Sequence, residues 1–392
     1  MRRQWDVVIV GGGVIGSSSA YFLAASTVFT GSVLVVEKDR TYRDCSTARS
    51  VGGIRQQFST PENIEISKFA AHFVKHVDEY LSVDGEAPVL FFMENGYLFL
   101  ASQAGLPTLE ANHRTQGAHG VNTTRLTRNE LSQQFPWLNV DDLAAGSLGE
   151  KNEGWVDPYA LLQGFRRKAR QLGAVYVEDE VIALTRQGAR ITDLRLQSAG
   201  DVSCGTVVNA AGPRAREVAA MAPLKLAVHP RKRQVYVFSC KDGPSRCPLV
   251  IDTSGMYFRP EGAQFICGIS PDEENDPDCL DLEVDYGPFE TKIWPLLAHR
   301  VPAFEAIKLT NAWAGHYAYN PFDKNVFLGP HPDCENFLLA NGFSGHGLQQ
   351  SPAVGRAISE LIAFGEYRTL DLSRFSYQRY AANKPIVEAN VV

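Results

Sequence analysis

No apolar run in the sequence approaches the ~18 residues that a membrane-spanning helix needs, so no transmembrane span is expected. Dense basic tracts are missing too. PRKRQ (Pro230–Gln234) is short, and 44 acidic against 38 basic residues leave a formal net charge of −6. Nucleic acid is therefore not expected as a partner. The seven cysteines, Cys45, Cys204, Cys240, Cys247, Cys267, Cys279 and Cys334, are scattered, odd in number and form no CxxC pair. That pattern speaks against a disulfide frame or a metal site, and for free thiols in a reducing compartment. There is no internal repeat and no low-complexity tract. The first apolar run begins about five residues in, which leaves no room for a transit peptide. At 392 residues the chain exceeds one ordinary core, and two domains are expected.

The N-terminus holds the clearest signal, WDVVIVGGGVIGSSSAYFLA (Trp5–Ala24). Asp6–Val10 suits a buried parallel strand, and Ala20 to Ala24 continue as a helix. Between them Gly11, Gly13 and Gly16 form GxGxxG. The first glycine makes the turn, the second lets backbone approach a pyrophosphate, and the third lets helix and strand pack closely. The helix N-terminus then presents free N–H groups and a favourable dipole to phosphate. A second strand, Ser32–Val36, ends in Glu37, about 20 residues beyond the last glycine, where an acid should bind ribose hydroxyls.

Two further segments look like parts of the same site. CGTVVNAAGPRA (Cys204–Ala215) resembles the strand-end motif that closes the FAD site in glutathione-reductase-like flavoproteins. GFSGHGLQQSPAVGRA (Gly342–Ala357) concentrates glycine before a helix, as expected where a ligand lies against a helix N-terminus. Three nucleotide-facing segments spread along the chain suit FAD better than NAD, which disfavours a nicotinamide-dependent dehydrogenase.

With FAD assumed, STARSVGGIRQQFSTPENIEIS (Ser46–Ser67) resembles the flavin-contacting segment of the D-amino-acid oxidase and sarcosine oxidase superfamily. NGYLFLAS, EGWVDPYALLQGFRRK, HPRKRQVYV, DTSGMYFRPEG, AWAGHYAYNPFDKNVFLGPHP and GFSGHGLQQSP extend the resemblance along the whole chain. Within the superfamily it is closest to the mitochondrial FAD-dependent oxidoreductase domain-containing group, which is implicated in assembly of respiratory complex I. The fold this implies is α/β (α+β overall): a discontinuous glutathione-reductase-like Rossmann domain with an inserted antiparallel-sheet substrate domain. The expected boundaries are 1–85, 145–225 and 325–392 for the FAD domain, and 86–144 and 226–324 for the substrate domain. Within the latter, the acidic stretch SPDEENDPDCLDLEVD (Ser270–Asp285) reads as a surface excursion.

The implied cofactor contacts are Gly11, Gly13, Val14, Ile15, Gly16, Glu37, Lys38, Ser46, Thr47, Ala48, Arg49, Val181, Ala211, Gly212, Gly315, Gly345, His346, Gly347, Leu348 and Gln349. Some members tether FAD to a histidine where this chain has Arg49, or to a cysteine where it has Gly315, so FAD is expected to be non-covalent. The lysine that helps oxygen react in sarcosine oxidases aligns with Ile266, so an electron acceptor other than oxygen is expected. The implied reaction is hydride transfer from a secondary or N-methylated amino acid, sarcosine-, dimethylglycine- or proline-like, to flavin N5. A carboxylate substrate calls for an arginine fork. Arg55 and Arg259 lead Arg231 and Arg233, with Tyr257, His316, Tyr317 and Tyr319 as pocket candidates. Arg55, His346 and Tyr257 are the catalytic candidates. The alternative implied by the resemblance is a flavoprotein that acts mainly in complex I assembly. The mitochondrial matrix is then the expected location, with the cytoplasm as the alternative.

Overall fold

The computed structural model describes residues 2–389. Its first sheet runs, in order, Phe327–His331, Cys334–Asn341, Gly200–Asn209, Gln4–Val10, Val33–Glu37 and Val175–Glu178. The last four of these five pairings are parallel and the first is antiparallel. Val7, Val8, Ile9 and Val10 are all buried, as a strand covered on both faces requires. A meander of Val181–Gln187, Arg190–Leu196 and Gly200–Asn209 extends from it by antiparallel pairing.

Helix Val14–Ala25 follows the glycine turn and is buried along nine of its twelve residues. It is wedged between the sheet and the C-terminal helix Gly347–Phe364. Small residues allow that crossing. The Ser18 hydroxyl donates to Ser351 O at 2.7 Å. A Cβ on Gly355 would lie 2.1 Å from Ser18 Oγ.

The second sheet runs Ile307–Tyr319, His229–Cys240, Gln264–Gly268, Tyr257–Glu261, Leu249–Ile251, Tyr97–Ala101, Ala145–Gly149 and Thr124–Thr127. All its pairings are antiparallel except Leu249–Ile251 with Tyr97–Ala101. The period of two sorts its side chains. Leu98, Leu100, Tyr236, Phe238, Phe258, Phe265 and Cys267 pack into one core with Phe304. Tyr97, Phe99, Ile251 and Tyr257 cluster on the opposite face, as do Val235, Val237 and Ile266. This opposite face looks toward the strand ends of the first sheet.

One expected boundary is corrected. Residues 145–149 pair with Tyr97–Ala101 and Thr124–Thr127, so they belong to the second sheet and not to the FAD-binding unit. The first return to the other unit is Gly154–Trp155, which pairs with Gly53–Ile54. Among the described residues no helix is long and apolar enough to cross a membrane, and no cluster of His, Cys, Asp and Glu is placed to hold a metal. All seven cysteines are free thiols.

Candidate active site

A cleft of about 470 Å³ opens between the strand ends of the first sheet and the polar-aromatic face of the second. Its floor is the glycine turn. Gly11 has φ +98°, and a Cβ there would lie 2.5 Å from Ala210 O. A Cβ on Gly16 would lie 1.9 Å from Gly11 O. These two glycines hold the turn against itself. Gly13 differs, because a Cβ there would meet only Thr47 Oγ1, at 3.5 Å, so its backbone faces the open cleft.

Glu37 ends its strand at the cleft wall. One carboxylate oxygen accepts from Gly12 N at 2.7 Å and the other from Asp39 N at 3.1 Å. Burial raises its carboxyl, while those two N–H groups act in the opposite sense. Thr47 Oγ1 accepts from Val14 N at 3.1 Å and so ties the 46–50 turn over the helix start. Among the described residues, the buried hydroxyl of Ser46 has no hydrogen-bond partner.

The other end of the cleft is built by the C-terminal segment. Ser344 and Gly345 both take positive φ, +49° and +98°. A Cβ on Gly345 would lie 2.5 Å from the Tyr317 ring. The helix itself begins at Gly347, with His346 immediately before it. Its first-turn N–H groups have no acceptor four residues back, and Gly347 and Leu348 line the cleft. Ser344 does not cap this helix, because its hydroxyl oxygen accepts from Asn320 N at 2.9 Å.

These residues fit FAD. An unpartnered buried hydroxyl and an open Gly13 backbone stand where a pyrophosphate would lie. An acid stands where a ribose would lie, and a helix N-terminus where an electron-rich ring edge would lie. The family described as FAD dependent oxidoreductase (DAO) matches residues 6–361.

The chain belongs to that family.

Its relatives include FAD-dependent oxidoreductase domain-containing protein 1 of Xenopus laevis, 45% identical over 99% of this chain and 85% of that protein. Human mitochondrial dimethylglycine dehydrogenase is 26% identical over 97% of this chain and 45% of its own length. Among solved structures, L-proline dehydrogenase from P. horikoshii superposes with a TM-score of 0.87 at 27% identity, covering 98% of this chain and all of that one. The protein is thus an FAD-dependent oxidoreductase of the amino-acid oxidase and dehydrogenase type.

In this FAD-dependent oxidoreductase, most residues singled out in the sequence reach the cleft. Gly11, Gly13, Val14, Ile15, Glu37 and Lys38 line it from the first sheet and its turn. Ser46, Thr47, Arg49, Val181, Ala211 and Gly212 line the middle, and Tyr257, Gly315, His316, Tyr317, Gly345, Gly347 and Leu348 the far end. Arg49 and Gly315, the two apparent tether positions, face each other. A Cβ on Gly315 would lie 3.0 Å from Arg49 Cβ, and Arg49 donates to Ala314 O at 2.9 Å. Neither offers a nucleophile to the flavin. Acid precipitation is therefore expected to release the yellow colour to the supernatant, and colour kept in the washed pellet would refute this.

Several expectations need correction. Gly16 packs inside the turn and does not line the cleft. Ala48 does not line the cleft; its N–H is directed within the 45–50 turn at Cys45 Sγ, at 3.4 Å. The Gln349 side-chain oxygen accepts from Arg55 N at 2.9 Å and so faces the chain and not the cleft. His346 lies behind the cleft wall, edge-on to Phe58. Its Nε2 is 3.0 Å from Arg55 Nη2. A guanidinium only donates, so Nε2 accepts and the ring proton sits on Nδ1. Burial, and then the Arg55 charge, hold this imidazole down to about 3, so it is neutral. Arg259 is turned away, its fork donating to Val51 O at 2.8 Å, to Pro260 O at 2.7 Å and to the Glu261 carboxylate. Tyr319 lies beyond the cleft rim, its hydroxyl on Glu273 at 3.0 Å.

The acidic stretch at 270–285 is likewise no mere excursion. Leu280 and Leu282 line the cleft, and Arg233 lines it beside them. The local clue in that stretch is a short alternation of Leu280, Leu282 and Val284 with acids, the period of an extended segment with one apolar face.

Replacing Glu37 with alanine removes the acid expected to accept from the ribose and frees two N–H groups. FAD affinity is expected to fall about tenfold or more, from a loss of ~1–3 kcal/mol. Fluorescence titration of apoprotein with FAD reads this directly, and an unchanged affinity would remove Glu37 from the site.

Proposed function

We propose that this oxidoreductase dehydrogenates a secondary or N-methylated amino acid, of the sarcosine, dimethylglycine or proline kind, and passes the electrons to an acceptor other than oxygen. The observation that carries this is Arg55. Its guanidinium is buried at the foot of the C-terminal helix, one layer behind the cleft wall. It lies over Phe58 at 4.2 Å and Phe99 at 5.2 Å. It donates to Gln57 O at 3.0 Å and to neutral His346. Its charge acts on the phenols of Tyr97 and of cleft-lining Tyr317. Arg55 does not itself line the cleft; its charge, held rigidly one layer behind the wall, gives the cleft a positive field that suits a substrate carboxylate. The likeness to L-proline and dimethylglycine dehydrogenases supports the same substrate class.

FAD, when bound, accepts the hydride. The chain's part is to place and polarise. The first-turn N–H groups of Gly347 and Leu348 put a helix dipole at the cleft, worth ~0.3–2 kcal/mol to a nearby anion. Burial raises the phenols of Tyr257 and Tyr317, so both stay protonated as donors. His346, with Nε2 occupied, positions Arg55. Leu280 and Leu282 shield the cleft from water.

The test is anaerobic titration with a panel of N-methyl and cyclic amino acids, following flavin bleaching. Bleaching by one of them supports the reading. No bleaching by any would overturn it and leave the binding role in complex I assembly as the standing alternative.

Slow reoxidation in air is also expected. Ile266 packs with Val235, Val237, Val51 and Trp313, so the wall there is apolar. The cleft-lining Arg49 and Arg233 are paired with Asp44 and Asp276. Superoxide formed at Ile266 would therefore meet apolar side chains and no cation in direct contact. Stopped-flow mixing of reduced protein with oxygen measures this; rates typical of oxidases would refute it.

A further inference from the structure

Arg233 is the arginine of the substrate-sheet candidates that reaches the cleft, and it is already gripped by a carboxylate. Its Nη1 and Nη2 each donate to one oxygen of Asp276 at 2.8 Å. This is the two-point geometry by which arginine recognises any carboxylate. The guanidinium lies over the Tyr317 ring at 5.0 Å, and that ring lines the same cleft. Arg233 Nε is buried and, among the described residues, has no hydrogen-bond partner. One edge of the fork is therefore occupied, and the other still has a donor to give.

The acid comes from a segment held by charge more than by backbone. Residues 270–285 join the sheet through one isolated bridge, Arg231 with Asp278. The remaining ties are mostly side-chain contacts. Lys232 meets Asp281 at 2.7 Å, Arg216 meets Asp278 at 2.7 Å, and Lys324 meets Glu273 at 3.0 Å. Asp276 also has a second cation within reach. Arg231, two residues along the same face of the strand, has Nε 3.9 Å from Asp276 and donates to its carbonyl. A displaced Asp276 would thus not be left as an uncompensated buried charge.

We propose that Arg233 is an outer carboxylate-binding position of the cleft. Asp276 fills it as an internal carboxylate until the carboxylate of an incoming ligand takes its place and shifts Asp276 onto Arg231. This rests on the reading above that the substrate carries a carboxylate, and it adds a station on the cleft wall itself, whereas Arg55 lies behind it.

The test uses FAD-loaded protein and pyrrole-2-carboxylate, a flat carboxylate with no amine-bearing C–H to oxidise, with pyrrole-2-carboxamide as the uncharged control. Binding is read by calorimetry. Asp276→Asn should bind the carboxylate about tenfold tighter, and Arg233→Met about tenfold weaker, with the carboxamide unchanged in both. Equal carboxylate affinity in Asp276→Asn and wild type, or an equal gain for the carboxamide, would overturn the proposal. A measurement on wild type guards against a variant that does not fold. A glutamate-specific protease should cut at Glu273–Glu274 faster when pyrrole-2-carboxylate is added and not when the carboxamide is. An unchanged rate would overturn the displacement. Neither readout requires turnover. If no amino acid reduces the flavin, these results still decide Arg233, and if Arg233 fails, flavin reduction still decides the substrate class.

Discussion

Gly16→Ala is expected to leave little folded, flavin-binding protein, whereas Gly13→Ala should fold and lose only FAD affinity. The added methyl at position 16 would lie 1.9 Å from Gly11 O and 3.2 Å from Ile9 Cγ2. The first of these is backbone, and that backbone has no room to yield. Gly11 is at φ +98°, pressed to Ala210 O on the neighbouring strand end. Relief would require moving helix Val14–Ala25 off the sheet, and that helix is buried against the C-terminal helix as well. Overpacking of this kind costs ~3 kcal/mol or more, a large part of a typical domain's stability. At position 13 the methyl would meet only Thr47 Oγ1, at an ordinary 3.5 Å. The space it fills is the cleft itself, where backbone must approach the pyrophosphate. Thermal melts of the apoproteins should therefore separate the two, with Gly13→Ala near wild type and Gly16→Ala far below it. FAD titration should show Gly13→Ala weakened by about tenfold or more, since lost phosphate contacts are charge-assisted hydrogen bonds. Equal melting of all three proteins would show that the turn tolerates the methyl and that the geometric argument is wrong.

Arg55→Lys should lose ~1.5–3 kcal/mol of carboxylate-substrate binding, about 10- to 150-fold, while keeping its FAD spectrum. Arg55 donates to Gln57 O and to His346 through separate nitrogens, and its flat face rests on Phe58 and Phe99. An ammonium keeps the charge but has no plane to stack and no fork to span two acceptors. The FAD site should be spared, because Gly347 and Leu348 line the cleft and Arg55 does not. The measurement is anaerobic flavin reduction by any amino acid that reduces wild type, read as apparent affinity. Equal affinity in both proteins would take the carboxylate away from Arg55, and Arg233 is then the one of the four candidate arginines that lines the cleft.

How far the sequence could be read depended on distance along the chain. The glycine turn and the strand-end Ala211–Gly212 were legible because each is a backbone feature set within a few residues, and Glu37 was legible from its spacing to the glycines, although its carboxylate meets Gly12 25 residues back. Parity along a strand was legible in principle. It puts Tyr257 on the cleft face and Phe258 in the core. It does not tell where a strand leaves the cleft, so Tyr317 lines it while Tyr319, on the same face, meets Glu273 outside. Nor does it say where a long side chain ends. Arg259 shares the face of Tyr257, yet its head group goes to Val51 O. The acidic stretch looked like solvated loop because its charges are indeed many; what folds it inward is a row of cations on another strand.

The sequence alone therefore determined the glycine turn and the helix start that bound the cleft. Positive φ, close backbone approach and free helix N–H groups are properties of a short segment, and glycine spacing reports them without knowledge of the rest of the fold. Only the tertiary structure decided what each arginine does. Arg55 meets His346 across 291 residues, Arg259 meets Val51 across 208, and Arg233 meets Asp276 across 43. A guanidinium at the end of a flexible stem takes whichever acceptor the fold brings within 3 Å, and no local pattern carries that information.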